Sequence, residues 1–207
     1  DEFDSKRLLA DWEVPVVAEM LAETADQAEA AARDMGYPVV LKGLARGRAH
    51  KTEHGLVKLG ISGNAMLSEA YGALLESLGR DGRILVQKQV SSDYELIAGF
   101  IRDPQFGDCV MFGLGGILAE LEPDVVFGLS PLSETEAAEL VRSIRNYRLF
   151  TGFRGFAPLD EKAAARVLVR LGEIGAAYPE IGQIDINPLL VHKGSPIAVD
   201  ASILLKA

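Results

Sequence analysis

The spacing of strand-like runs changes near residue 90, and that change narrows the folds open to this chain of 207 residues. Before it, short β-type runs at residues 38–42 and 56–61 alternate with helical segments at 24–35 and 64–78. From residue 84 onward, strand character recurs at 84–90, 94–102, 108–112 and 117–127 with no helical segment between them. Helical periodicity returns at 134–144 and 160–177. Two β-rich runs, 184–192 and 197–205, close the chain around Lys193-Gly194-Ser195-Pro196, a hairpin-like turn. Strands and helices mixed in this way define an α/β protein. The change of spacing divides it into two lobes, residues 1–88 and 89–207, hinged at 86–90.

Local signals refine this outline. Ser5 is placed to N-cap a short helix over 5–11, and residues 14–17 read as a brief extended segment. Gly36 and Pro38 end the alanine-rich helix that starts at Thr24. In the helix at 64–78 the apolar stripe is Met66, Ala70, Ala73, Leu74 and Leu78. In the run at 56–61, Val57 and Leu59 share one face and Lys58 takes the other.

Composition removes several classes of function. Thirty acidic residues against 21 basic ones give a net charge of −9, the wrong sign for a general binder of nucleic acid or anionic membrane. No apolar run approaches the roughly 18 residues needed to span a bilayer. The single Cys109 excludes an internal disulfide framework and fits a reducing compartment. Asp1-Glu2-Phe3-Asp4 offers neither the basic start nor the apolar core of a signal peptide. It also lacks an initiator methionine, which fits a processed chain or a piece of a longer one. A cytoplasmic location is the expectation.

Four constellations have the residue types that chemistry needs. Lys42, followed by Gly43, ends a buried-looking strand; it could meet phosphate oxygens at a cleft mouth or lie along the surface as a solvated cation. Gly47-Arg48-Ala49-His50-Lys51-Thr52-Glu53-His54-Gly55 is a polar loop suited to closing over a polyphosphate, or an ordinary solvated hairpin. Phe112-Gly113-Leu114-Gly115-Gly116 resembles a dinucleotide fingerprint, but strand character continues at 117–121 where that motif requires a helix. An anion-binding turn or a plain β-turn remains. In Gln183-Ile184-Asp185-Ile186-Asn187-Pro188, the strand period puts Asp185 and Asn187 on one side and the isoleucines on the other. A paired strand would bring Asp200 beside them. Asp, Asn and Asp are hard oxygen ligands that suit Mg²⁺ shared with substrate phosphates.

Taken in order, several motifs together resemble one family. They are Tyr37-Pro38-Val39-Val40-Leu41-Lys42, His50-Lys51-Thr52-Glu53, Arg102-Asp103-Pro104-Gln105-Phe106-Gly107, the glycine turn at 112–116, Gly152-Phe153-Arg154-Gly155 and Asp185-Ile186-Asn187-Pro188. From about Ser5 to Leu205 the chain resembles the ATP-grasp β subunit or domain of ADP-forming acyl-CoA synthetases, relatives of succinyl-CoA synthetase. The resemblance implies an ATP-grasp fold of two α/β lobes with a nucleotide cleft between them. It also implies an acid–thiol ligase: acid, CoA and ATP give acyl-CoA, ADP and phosphate through an acyl phosphate and a phosphohistidine. ATP/ADP and Mg²⁺ are the implied cofactors. The CoA site and the phosphohistidine belong to an α subunit or fused domain, through which CoA and the carboxylic acid are met. No nucleic acid or membrane partner is implied.

The same resemblance assigns residues. Lys42 holds nucleotide phosphates, the segment with Gln87, Lys88 and Val90 lies against adenine, and Glu95 lines the cleft. Asp185, Asn187 and Asp200 take the Mg²⁺ and phosphate-transfer positions, and Asp185 is also placed to orient an incoming imidazole. His50 corresponds to a histidine that relays the phosphoryl group from the partner. Four positions depart from the family pattern: Leu56 stands in place of a glycine, Gln183 of a glutamate, Ser202 of an arginine and Asp108 of a proline. Two other classes share these motifs. One is a non-catalytic nucleotide-sensing module of a regulatory fusion protein, and the other is an ATP-grasp carboxylate ligase that uses no phosphohistidine.

Overall fold

A computed structural model describes residues 1–44, 55–79, 82–116, 123–152 and 155–206. The chain forms two compact units: Val17–Val90 together with Asp1, and Ser91–Ala207 together with Glu2–Val16. Residues 2–16 thus fall in the second unit although they precede the first in the chain. Their anchor is local, since Ala198 N–H donates to Pro15 C=O and Val16 bridges Ala198 in parallel.

The first unit is a four-stranded antiparallel sheet in the order β1-β4-β2-β3, with β1 Glu19–Ala22, β2 Val39–Leu44, β3 Val57–Ile61 and β4 Arg83–Lys88. Helices α2 (Ala25–Met35) and α3 (Asn64–Leu78) cover one face. The Thr24 hydroxyl accepts from Gln27 N–H to start α2, and Gly36, at φ +75°, ends it in a conformation that a Cβ would strain. Ala28, Ala31 and Ala32 let α2 sit close to the sheet, where Val39, Leu41, Ile84 and Val86 meet Leu67, Tyr71 and Leu74 of α3. Strand alternation sends Val40, Lys42, Leu85 and Gln87 to the opposite face.

The second unit holds a six-stranded sheet in the order β10-β8-β5-β6-β7, with β9 paired to the far half of β8. Its strands are β5 Tyr94–Asp103, β6 Gly107–Leu114, β7 Val125–Leu129, β8 Ile181–His192, β9 Ser195–Ala198 and β10 Ala201–Leu205. Helices α4 (Glu134–Arg142) and α5 (Glu161–Ala177) pack on one face, and α1 (Glu2–Asp11) packs against β10. A capping box closes the start of α4, the Ser133 hydroxyl accepting from Glu136 N–H while Glu136 accepts from Ser133 N–H. Phe100, Val110, Phe112, Ile184 and Ile186 form the sheet side of the core, against Leu168, Leu171 and Ile174 of α5. Arg102 fastens the sheet to the end of α5. It pairs with both Asp108 oxygens at 2.6 and 2.7 Å, and donates to the carbonyls of Ile181, Gly175 and Tyr178.

Several local expectations change in the structure. Ser5 lies buried inside α1, which begins at Glu2, so it is not an N-cap. The buried stripe of α3 is Leu67, Tyr71 and Leu74, with Met66 46% exposed; the helix is rotated by about one residue from the stripe read in sequence. In β3 the buried residue is Ile61, and Leu59 is 68% exposed. The run at 197–205 is two strands broken at Val199-Asp200, and β1 was not anticipated. Of the run at 117–127, residues 125–127 are strand, while 117–122 lie outside the described residues. The polar loop with His50 lies outside them too, up to His54.

Candidate functional site

The open face of the second sheet gathers the oxygen ligands. Leu96 pairs with Leu189 and Ala98 with Ile186, so β8 carries one extra residue at Asn187-Pro188, whose peptide bond is cis. That bulge lets Ile184 and Ile186 on one side of it, and Leu189 and Val191 on the other, all face the core. Asp185 and the exposed Asn187 therefore point away from the helices. Asp200 lies in the break between β9 and β10, and Asn187 N–H donates to its carbonyl at 3.2 Å. The two carboxylates sense one another. Burial first, and then the charge of Asp200, push the Asp185 carboxyl above its ordinary value. Asp185, Asn187 and Asp200 are thus brought together as the sequence anticipated.

Glu95 joins the same face one strand along. It is paired with Leu190, and Gly99, four residues further along β5, is directly opposite Asp185. The glycine turn has a structural task here. Gly115 N–H donates to Glu95 C=O at 2.8 Å. At Gly116, φ +60°, a Cβ would stand 2.9 Å from a Glu95 carboxylate oxygen. Glycine at both positions lets the end of β6 close onto Glu95, a reason sequence spacing alone did not reveal. Beside Glu95, Tyr94 faces the core, stacked on Phe150 at 5.5 Å, with burial pushing its phenol up to about 12.

The remaining candidates lie in the first unit. Lys42 is 6% exposed, on the face opposite the helices, and directly across from Leu85. A solvated surface lysine is therefore the wrong description of it. Gln87 is 3% exposed and donates from Nε2 to Glu19 Oε2 at 3.0 Å. The Lys88 ammonium donates to Gly36 C=O at 2.6 Å, where it complements the carboxyl end of α2, and Lys88 N–H donates to Ala18 C=O. Val90 is half-buried at the end of the unit.

The donor set suits one class of metal. Among the described residues no three or more His, Cys, Asp or Glu side chains cluster tightly enough to cage an ion. Two carboxylates and an amide instead match a hard cation that keeps several waters and shares phosphate oxygens, which is the habit of Mg²⁺. The mutual repulsion at Asp185 and Asp200 is what such a cation relieves.

One sheet-and-helix unit bearing a buried lysine, and a second whose sheet carries Asp, Asn, Asp and Glu on the face away from its helices, describe a class already known. Residues 1–205 match the ATP-grasp domain family, and the chain belongs to it. Within that family it is 35% identical to the β subunit of an ADP-forming acetate–CoA ligase from Pyrococcus furiosus, over 99% of this chain and 90% of that subunit. It is 37% identical to an ADP-forming acetate–CoA ligase of Archaeoglobus fulgidus, of which it spans only 28%. The sequence thus corresponds to one part of a larger enzyme, made as a separate subunit in one relative and within a longer chain in the other. Among solved structures it superposes on an acetyl-coenzyme A synthetase of Ca. Korarchaeum cryptofilum in complex with coenzyme A and Ca-AMPCP. The TM-score is 0.92 at 37% identity, covering 99% of this chain and 92% of that one. A second structure of that protein contains Mg-AMPPCP and has its phosphohistidine segment pointing towards the nucleotide site.

Proposed function

We propose that this chain is the nucleotide-binding part of an ADP-forming acyl-CoA synthetase, an acid–thiol ligase that converts acid, CoA and ATP to acyl-CoA, ADP and phosphate. The observation that carries the reading is the Asp185–Asn187–Asp200 group, gathered by the β8 bulge in a chain so similar to β subunits of that enzyme. Phosphoryl transfer asks a protein mainly for in-line positioning and charge neutralisation. Asp185, Asn187 and Asp200 hold Mg²⁺, which supplies charge neutralisation at the phosphates when bound. Lys42 adds a fixed cation to the phosphate oxygens. Val90 and the backbone of Gln87 and Lys88 lie along the adenine edge, since both side chains are already committed elsewhere. Glu95, held by Gly115 and Gly116, fixes one wall of the site.

His50 relays the phosphoryl group, its neutral imidazole being nucleophilic near pH 7 with a free pKa of about 6.5. Asp185 orients the incoming ring by accepting its N–H. The partner, an α subunit or fused domain, brings the phosphohistidine, CoA and the carboxylic acid. Among the described residues no helix is long and apolar enough to cross a membrane. The test is reconstitution. This chain alone should bind Mg·ADP and form no thioester, and addition of the α part should yield acyl-CoA. Thioester formation without the partner, or full turnover after His50→Ala, contradicts the proposal.

A further inference from the structure

We infer that Lys6 is a positioning residue for the metal site: its ammonium, held by Glu2, fixes the peptide that carries Asp200. The inference rests on the Mg²⁺–nucleotide reading of Asp185, Asn187 and Asp200. Lys6 is fully buried in α1, and its Nζ donates to Glu2 Oε1 at 2.7 Å, one helical turn away, where the Glu2 side chain is 1% exposed. A buried ion pair is an expensive way to fill a helix face. Apolar residues of similar volume serve stability as well or better, so the pair calls for a further reason.

That reason lies 193 residues along the chain. Lys6 Nζ also donates to Val199 C=O at 3.2 Å, and this carbonyl belongs to the peptide that leads into Asp200. On the other side of Asp200, its own carbonyl accepts from Asn187 N–H at 3.2 Å, and Val199 N–H donates to Pro188 C=O at 3.3 Å. Asp200 falls in the gap between β9 and β10, outside either strand. Its flanking peptides are therefore held by β8 on one side and by the Lys6 ammonium on the other. Two like-charged carboxylates push apart, and the ammonium opposes that displacement through the backbone. A methionine at position 6 would fill the same volume and donate nothing to Val199.

The experiment is nucleotide titration of the full chain, by calorimetry, at a series of Mg²⁺ concentrations and also without metal. The double variant Glu2→Met/Lys6→Met removes both charges of the pair together and keeps the side-chain volume close to that of the original residues. Its melting temperature should stay within a few degrees of wild type, and its metal-free ADP affinity should be unchanged. The Mg²⁺ concentration at half-maximal enhancement of ADP binding should rise at least fivefold. An unchanged Mg²⁺ midpoint overturns the positioning role, as does an equal loss of metal-free and Mg²⁺-dependent affinity, which marks a structural role. If the double variant does not fold, Glu2→Gln carries the test, with at least a twofold rise expected and no rise overturning the inference. If wild type shows no Mg²⁺ enhancement at all, the reading of the metal site itself fails, a result distinct from failure of the variants alone.

Discussion

Gly99 lies opposite Asp185, and replacing it with alanine should disturb stability and metal binding together. A Cβ built there stands 2.8 Å from Ile184 O, a main-chain atom of the neighbouring strand, and 3.5 Å from the Met111 methyl. The methyl can move aside, but the carbonyl moves only with β8. Relief requires a shift of about half an ångström in the strand that carries Asp185, the kind of overpacking that costs about 1–3 kcal/mol. Alanine returns roughly 0.5–1 kcal/mol by restricting the unfolded chain. The clash wins, and a net loss of about 1–2 kcal/mol corresponds to a melting temperature lower by roughly 2–8 °C for a chain of this length. Gly72, in the middle of α3 with nothing within 4 Å of its Cβ position, supplies the control. There the same substitution should stabilise by up to about 1 kcal/mol. Urea and thermal melts of both variants, with Mg²⁺ titrations of ADP binding, give the comparison. If Gly99→Ala is neutral or as stabilising as Gly72→Ala, the close approach of β5 to β8 at Asp185 is not a constraint and the reasoning fails.

Other residues give sharper individual expectations. The Tyr94 hydroxyl is buried and has no hydrogen-bond partner among the described residues, so Tyr94→Phe should raise stability by about 1 kcal/mol; a lower urea midpoint would refute this. The Asp185 carboxyl titrates above its unfolded value of 3.8, so the penalty of ionising it is absent below pH 3.8 and grows as pH rises through the folded value. Metal-free Asp185→Asn should therefore gain stability over wild type as pH rises, while losing Mg²⁺-dependent ADP binding; a difference constant from pH 3 to 7 argues against the coupling. Lys42→Met should weaken ADP on the order of ten- to a hundredfold, as loss of a charge-assisted contact does, and leave adenosine unaffected in the same calorimetric titration. Equal losses for ADP and adenosine would remove Lys42 from the phosphates.

The sequence was most legible where periodicity and punctuation agreed. Asn64–Leu78 stands as read, and α2 ends at Gly36 as read, while Thr24, read as its first residue, is its N-cap. The Lys193-Gly194 turn joins β8 to β9 with both residues at positive φ, at 50° and 85°. Asp185 and Asn187 were legible as a same-side pair because strand alternation is rigid over two residues. What escaped notice depended on tertiary context. The bulge at Asn187-Pro188 shows only in the register against β5, and the break at Val199-Asp200 only in pairing with β8. The Glu2–Lys6 pair went unread, because the sequence starts the helix at Ser5 and nothing local announces that α1 begins at Glu2 and packs against β10. Gly115 and Gly116 were noticed for the anions a glycine turn binds, whereas their closeness to Glu95 is set by two strands meeting.

The central claim is that Asp185, Asn187 and Asp200 form a Mg²⁺–nucleotide site, and thermal melting with and without Mg·ADP tests it most directly. At a hundredfold excess over the dissociation constant, a ligand that binds only the folded chain adds about 2.7 kcal/mol. For a protein of this length that is a rise of roughly 5–11 °C, at about 2–4 °C per kcal/mol. The account predicts that rise in wild type, with nearly all of it lost in Asp200→Ala and on replacing Mg²⁺ with a chelator. A full shift in Asp200→Ala, or one indifferent to the chelator, contradicts it.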